Sequence, residues 1–447
     1  MKQETILLSD SQRIKKEFLI PLHRQEEKLK KRCYIEDVRA RSDGEYQRDY
    51  TRILYSSSFR RLQGKMQLFA VQSDQFIRNR LTHSLEVAQI ARSIAGIIGY
   101  DPREIYVVEA CSLAHDIGNP GFGHAGERFL NLLSREFGGF EGNAQTFRIL
   151  TTVEQKRSNF QGLNLTYRTL LGVLKYYNRF NPELPQEQYG KQKFIYDSDY
   201  ELVGEILQET QIKLRTLDVQ IVDLADEIAY AAHDLEDGLR LGILKTDEVL
   251  HDFCSIVDNK VCQEKLEEIF DESRYRAGFK NPGIDSAEYA KLYCKEIASR
   301  VINTLINDIG IVELSQEQKS RRGSLCDSEI GFVSFSDLAS GLKGTVYQCV
   351  TKTNQVYAYE NAGKFMFQEL FAFYMEHPQY LPPEYRAGNI VSQYPESYRD
   401  TDQEKLQKRL VIDYISGMMD EFVRTNYGSL EPVIRECKSM KAEYKRV

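Results

Sequence analysis

Three of the chain's seven histidines, His83, His115 and His124, fall close together; the others are His23, His233, His251 and His377. His115 is followed by Asp116, and two further carboxylates, Asp223 and Asp226, stand three apart in a later segment. Neutral imidazoles mixed with carboxylates suit a borderline or hard divalent ion such as Mn, Fe, Zn, Mg or Co. Two histidines and two aspartates would leave coordination positions open for water and a phosphate oxygen, which is what a hydrolytic metal needs. Taken alone, a His-Asp pair is more often a helix end or an ion pair, so its company decides. His124 and Glu127 are three apart and share a face if a helix begins near 123. An imidazole beside a carboxylate holds a defined tautomer and moves protons.

These residues need rigid carriers, and the hydrophobic period supplies helices. Leu81, Leu85, Ala88, Arg92 and Ala95 follow helical spacing, which predicts a helix carrying His83 and stopped at Gly99. Residues 103–117 read as a second helix with the His-Asp pair at its end and Gly118-Asn119-Pro120 as terminator. The segment 119–127 reads as a turn entering a further helix, and 143–156 and 165–178 as helices. Residues 181–200 read as a long loop. The clearest helix is 218–240, with Ile221, Leu224, Ala225, Ile228, Ala232, Leu235 and Leu239 in one stripe and Asp223 and Asp226 opposite. Helices continue at 287–308, 355–376, 403–424 and 430–442, with weak strand signal at 331–335 and 346–351. The fold class is all-α: an N-terminal arm or helix (1–47), a helical core (48–245) and a C-terminal helical region packed on it (246–447).

The 447 residues are 42% hydrophobic and 28% charged, an ordinary globular balance that excludes wholesale disorder. No apolar run is long enough to span a membrane, and the N-terminus lacks the pattern of a secretion signal. Eight scattered cysteines without a CxxC pair fit a reducing cytoplasm. The net charge of −7 argues against general duplex DNA binding. Residues 1–80, however, hold 18 Lys/Arg against 11 Asp/Glu, a balance of +7 on an otherwise acidic protein. We read residues 11–41 as a solvated arm, and residues 48–80 as packed near the site, where positive charge would favour an anionic ligand.

The order H…HD…D on helices resembles the HD phosphohydrolase superfamily. RNRLTHSLEVAQIARSIA (78–95), ACSLAHDIGNPGFGHAGE (110–127), FEGNAQTFRIL (140–150), LKYYNR (174–179), DLADEIAYAAHDLEDGL (223–239) and DYISGMMD (413–420) closely resemble the deoxyguanosinetriphosphate triphosphohydrolase family, and SSFRRLQGKMQLF (57–69) is similar to its N-terminal motif. The resemblance runs from about 48 to 245 and returns at 413–420; residues 246–400 match more loosely.

It implies one divalent metal ion held by His83, His115, Asp116 and Asp226. Asp226 is chosen because it precedes Tyr230 by four positions; Asp223 is the alternative. It implies His124 and Glu127 as the catalytic pair, and Gln67, Asn143, Lys175, Lys193, Tyr230 and Asp234 as substrate contacts, with Gln67 and Asp234 on the sugar. His233 falls where the family varies and reads as structural. Gly121 departs from a common family proline, which loosens the turn feeding His124. The activity implied is hydrolysis of a deoxynucleoside triphosphate, dGTP first, to deoxynucleoside and inorganic triphosphate. The alternatives are an HD phosphohydrolase of a nucleoside monophosphate or guanosine alarmone, or a scaffold with a structural metal. The resemblance also implies a homo-oligomer and allows weak single-stranded DNA contact.

Overall fold

The computed structural model describes residues 6–36, 44–68, 78–185, 188, 190–279, 283–351, 354–399 and 401–444. Among these the chain is all-α apart from one two-stranded sheet. Helix α1 (Ile6–Ile14) precedes α2 (Gly44–Leu54), α3 (Arg80–Ile98), α4 (Ile105–Ala114), α5 (Gly123–Leu133) and α6 (Gly142–Arg148). Next come α7 (Tyr167–Val173), α8 (Asp197–Thr210), α9 (Leu217–Ala229), α10 (Thr246–Ile256), α11 (Lys260–Phe279) and α12 (Ser286–Asn307). Strands β1 (Ile309–Glu313) and β2 (Ser328–Phe332) lead to α13 (Ser336–Thr351), α14 (Asn354–Glu376), α15 (Gln403–Ser416) and α16 (Asp420–Tyr444). No helix among the described residues is long and apolar enough to cross a membrane, and all eight cysteines are free.

Helix α3 starts where its cap dictates. Asn79 accepts the Thr82 N–H at 3.0 Å while Thr82 accepts the Asn79 N–H at 3.1 Å, a reciprocal pair that satisfies two donors. It ends at Gly99, whose φ of 95° only glycine adopts without cost. The expected stripe, however, is rotated: Leu85 is 43% exposed and Arg92 is exposed, while His83, Val87, Ala91, Ile94 and Ile98 face the core. The buried side is wider than a single i, i+4 row, so two registers fitted the sequence. Helix α4 is buried almost all round, as its apolar sequence requires.

The 218–240 helix is not continuous. A five-residue π turn, Tyr230–Asp234, separates α9 from the short helix Leu235–Arg240. The wide turn breaks the strict i, i+4, i+8 stack of Asp226, Tyr230 and Asp234. A second π turn, Ile149–Val153, follows α6 where a helix to 156 was expected. The loop expected to 200 ends at Asp197, where α8 begins, and its residues 186, 187 and 189 lie outside the described ones. The strand expectations also need correction. β2 pairs antiparallel with β1, Ile311 opposite Ile330, and residues 346–351 are helical. Leu338, Leu342 and Val346 recur every four residues and are all buried, so a helical face outweighs the local β-branched character. The C-terminal break lies at 417–419, and α16 runs on through Pro432.

Residues 11–36 are not a solvated arm; 37–41 lie outside the described residues. Ile14, Leu19, Leu22 and Leu29 are fully or almost fully buried in the main core. Arg32 reaches the Glu45 and Asp49 carboxylates at 2.8 and 2.6 Å. Arg13, Lys15, Lys16, Glu17, Arg24 and Glu27, which suggested solvent, are exposed on the outer face of helices whose apolar residues face inward.

Two large hydrophobic clusters result. The main one joins α1 to α4, α9, α12 and the sheet; the second joins Phe122 and α5 to α14, α15 and α16. They meet at the turn after α4, where Ile117 belongs to the first and Phe122 to the second. That turn leads from the His-Asp pair to His124.

Candidate active site

α3, α4 and α9 bring His83, His115 and Asp226 together, with one ligand atom of each within 4.8 Å of the others. Asp226 Oδ1 lies 3.0 Å from His83 Nε2 and 3.4 Å from His115 Nε2. His115 Nδ1 donates to the Ser112 carbonyl at 2.6 Å, which leaves the Nε2 lone pair pointing inward. That buried Nε2 has no hydrogen-bond partner among the described residues. Burial works against ionisation of Asp226, but the Lys175 charge beside it holds its carboxyl well below the usual range. Two imidazole nitrogens converging on one ionised carboxylate oxygen at these distances fit a cation held between them.

Asp116 lies at the edge of this trio, its Oδ1 3.6 Å from His115 Nε2. Arg80 holds the other oxygen and Asn119 donates to Oδ1. Burial raises the Asp116 carboxyl, yet Arg80 and His115 bring it down to about 2. Of the two candidate aspartates on α9, only Asp226 faces the histidines. Asp223 is paired with Arg215 and, at 3.1 Å, with Lys175. Lys175 also lies 3.1 Å from Asp226 Oδ2, so its charge sits against the trio. His233 stands 3.1 Å from Glu86, outside the trio, and burial pushes its imidazole down to about 3.

The His124–Glu127 pair is set by the start of α5. Phe122, in a left-handed conformation (φ 60°), precedes the helix, and His124 is its second residue. His124 Nδ1 lies 3.4 Å from Glu127 Oε2, and Glu127 Oε1 accepts the Gly142 N–H at 3.0 Å. Burial opposes the charge on Glu127, but the His124 hydrogen bond and the Lys193 charge hold its carboxyl at about 2. His124 is 64% exposed and opens onto a cleft of about 180 Å³ that Lys193 and Tyr347 also line. Gly118 fixes the spacing between the His-Asp pair and this cleft. A Cβ there would overlap the backbone of Gly142 and Thr146. Thr146 clamps the same junction, donating to the His115 carbonyl at 3.1 Å and accepting the Gly118 N–H at 3.0 Å.

The remaining candidates ring the two centres. Glu141 gathers Asn143 (2.8 Å) and Lys193 (2.6 Å). The Tyr230 ring packs 4.9 Å from the His83 ring. Burial and the Asp237 charge push the Asp234 carboxyl up to about 8 against the pull of Lys343 and Arg78. Gln67 is 9% exposed, and neither amide atom has a partner among the described residues. A buried amide left unpaired is costly.

Sequence reasoning missed Arg80, Asn119 and Glu141, which lie within motifs it quoted, and Lys343 and Tyr347, which lie in the loosely matching region. Lys343 on α13 sits 4.4 Å over the Tyr230 ring, and the Tyr347 ring lies 6.5 Å from His124. Lysine one helical turn before tyrosine is the sequence signal; only the fold says which face it meets.

Comparison with known proteins defines the class. The HD domain matches residues 80–231, which span all four proposed metal ligands, and the phosphohydrolase-associated domain matches 335–429. The chain is thus an HD-domain hydrolase, with the divalent-metal binding that domain implies. It is 42% identical over 408 residues to deoxyguanosinetriphosphate triphosphohydrolase-like protein 2 of Vibrio cholerae, covering 90% of this chain and 92% of the relative. Like-named proteins of Shewanella sediminis and Caulobacter vibrioides are each 33% identical, covering 88% and 90% of this chain and 93% and 94% of theirs. The chain belongs to the deoxyguanosinetriphosphate triphosphohydrolase-like family.

Proposed function

We propose that the protein hydrolyses deoxynucleoside triphosphates, dGTP first among them, to a deoxynucleoside and inorganic triphosphate. The observation that carries this reading is the inward His83–His115–Asp226 trio joined through one short turn to a His–Glu pair that opens on a cleft. The names of the relatives supply the nucleotide.

His83, His115, Asp226 and Asp116 would hold one divalent ion (Mn, Mg, Fe, Zn or Co), which supplies Lewis-acid polarisation of an α-phosphate oxygen. Water attacks the α-phosphorus in line, a new P–O bond forms, and the bond to the 5′ oxygen breaks. His124 gives the leaving 5′ oxygen its proton. Glu127, with its carboxyl held at about 2, stays ionised and orients the imidazole. Lys175, Lys193 and Asn143 face the phosphates, and an arriving triphosphate competes with Glu141 for Lys193. Tyr230 packs on the sugar. The unpaired Gln67 amide meets the sugar, and Asp234 accepts its 3′-hydroxyl. Close packing where a 2′-hydroxyl would sit selects deoxy over ribo. We place the enzyme in the cytoplasm as a homo-oligomer, with single-stranded DNA contact secondary to catalysis.

The test is a panel of the four dNTPs and GTP with Mn or Mg, with products separated by ion exchange. Triphosphate from dNTPs, formed about 10²–10⁴-fold more slowly in His124→Ala, supports the reading. Nucleoside monophosphate plus pyrophosphate, or diphosphate plus phosphate, overturns it.

A further inference from the structure

The DYISGMMD segment ends in Asp420, which touches neither the metal trio nor the cleft yet joins both sides of the site. Asp420 is 6% exposed and opens α16, where the helix dipole favours an acid. Its Oδ1 accepts the Phe122 N–H at 3.1 Å. Its Oδ2 accepts the Met66 N–H at 3.1 Å and the Tyr359 hydroxyl at 2.7 Å. Phe122 is two residues before His124, and Met66 is one residue before Gln67. One carboxylate therefore fixes the backbone beside the proton-transfer histidine and beside the unpaired amide.

The Phe122 backbone needs such a hold. A bulky residue at φ 60° sits in a conformation that L side chains rarely adopt, and Phe122 cannot cap α5 with its side chain. Its ring is trapped from the same side, 5.1 Å from Tyr359 and 5.4 Å from Phe367. A Cβ on Gly363 would overlap it. Gly121 completes the device: a Cβ at 121 would lie 2.8 Å from Asp420 Oδ1, so a glycine there lets the carboxylate reach the Phe122 N–H. The turn that a glycine loosens in sequence is held in space from α16.

We propose that Asp420 is the positioning residue of the proton-transfer step: it sets His124 through the Phe122 backbone, by hydrogen bonds that reach no proposed metal ligand. The proposal rests on the reading of His124 given above. The proposed ligands stand on or at the ends of α3, α4 and α9, and Asp420 hydrogen-bonds to none of these helices among the described residues.

The test is a double-mutant cycle. Asp420→Asn turns one acceptor oxygen into a donor that a backbone N–H cannot use. It should lower kcat for dGTP by at least about tenfold, since small misplacements of a reacting group are costly, with bound Mn per protomer unchanged. In a His124→Ala background the same substitution should cost less than about twofold, because its target is already gone. Parallel loss of Mn, unchanged kcat in Asp420→Asn, or multiplying losses in the double variant would each overturn the proposal. If Asp420→Asn does not fold, Gly121→Ala, which keeps the carboxylate but crowds Oδ1, runs through the same cycle with the same expectations. A fully active His124→Ala enzyme would overturn the reading of His124 itself, and the proposal with it. Multiplying losses with a His124→Ala enzyme that is slowed but still measurable would overturn only the role of Asp420.

Discussion

At the residue scale, Asp223 and Asp226 are the sharpest contrast: chemically identical, three positions apart, and held differently. Asp226 faces two imidazoles, while Asp223 is paired with Arg215 and Lys175. Asp226→Asn should therefore lower Mn affinity by at least about tenfold, the scale at which even outer-shell changes act. Asp223→Asn should leave Mn binding within a few-fold. Equilibrium dialysis against Mn checks both; equal losses would contradict the assignment. Glu127 gives a second expectation. Its ionised carboxylate supports His124 without touching the trio, so Glu127→Gln should reduce kcat by about 10²–10⁴-fold with Mn retained. Part of this was legible in the sequence: the histidines and the His-Asp pair stand out by residue type and order, while the choice of Asp226 over Asp223 came from the family resemblance. Arg80, Asn119 and Glu141 were not separated from their neighbours, because their roles rest on which carboxylate or amine they meet across helices.

At the element scale, what matters is how closely the carriers approach. Gly118 lets the turn after α4 sit on α6, so Gly118→Ala must push the two apart. Overpacking of this kind typically costs about 1–3 kcal/mol, and the shift falls next to His115 and Asp116. Lower thermal stability together with weakened Mn binding is expected; an unchanged melt would contradict the close approach. α8 carries a buried acid at a cost. Asp199 accepts from Thr151 at 3.0 Å, while its other oxygen has no partner among the described residues. Burial pushes its carboxyl up to about 6. The folded state thus keeps a proton that the unfolded chain releases near 4, so this residue's contribution to stability falls as pH rises from about 4 to 6 and stays low above. Asp199→Asn should raise stability by about 1–3 kcal/mol at pH 7.5 and change little at pH 4, as read by melting curves at the two values. The reverse pattern would show Asp199 to be favourably ionised. Helix existence was legible here, but the π turns at 149–153 and 230–234 were not. Their apolar spacing passes for ordinary helix, and tertiary packing inserts the extra residue.

At the scale of the whole molecule, the segment 11–36 belongs to the core. Deleting residues 1–31 removes Ile14, Leu19, Leu22 and Leu29, each fully or almost fully buried. At roughly 1.5–3 kcal/mol per side chain, that loss rivals the whole stability of an ordinary domain, about 5–15 kcal/mol. The truncated protein should lose its cooperative melt, and a melting temperature within a few degrees of the full chain would contradict this. The sequence misled here because a basic, Glu-rich stretch has the composition of a solvated arm; only the fold shows its apolar face against β1 and α3. The C-terminal half was likewise legible as helices but not as part of the site, since Lys343, Tyr347 and Asp420 reach it from far along the chain. The central claim concerns which bond breaks, and isotope labelling reads that directly. Hydrolysis of dGTP in ¹⁸O-water, followed by mass spectrometry of the separated products, should place one label in inorganic triphosphate and none in deoxyguanosine. Label in orthophosphate, in pyrophosphate or in a nucleotide product would contradict water attack at the α-phosphorus with loss of the 5′ oxygen.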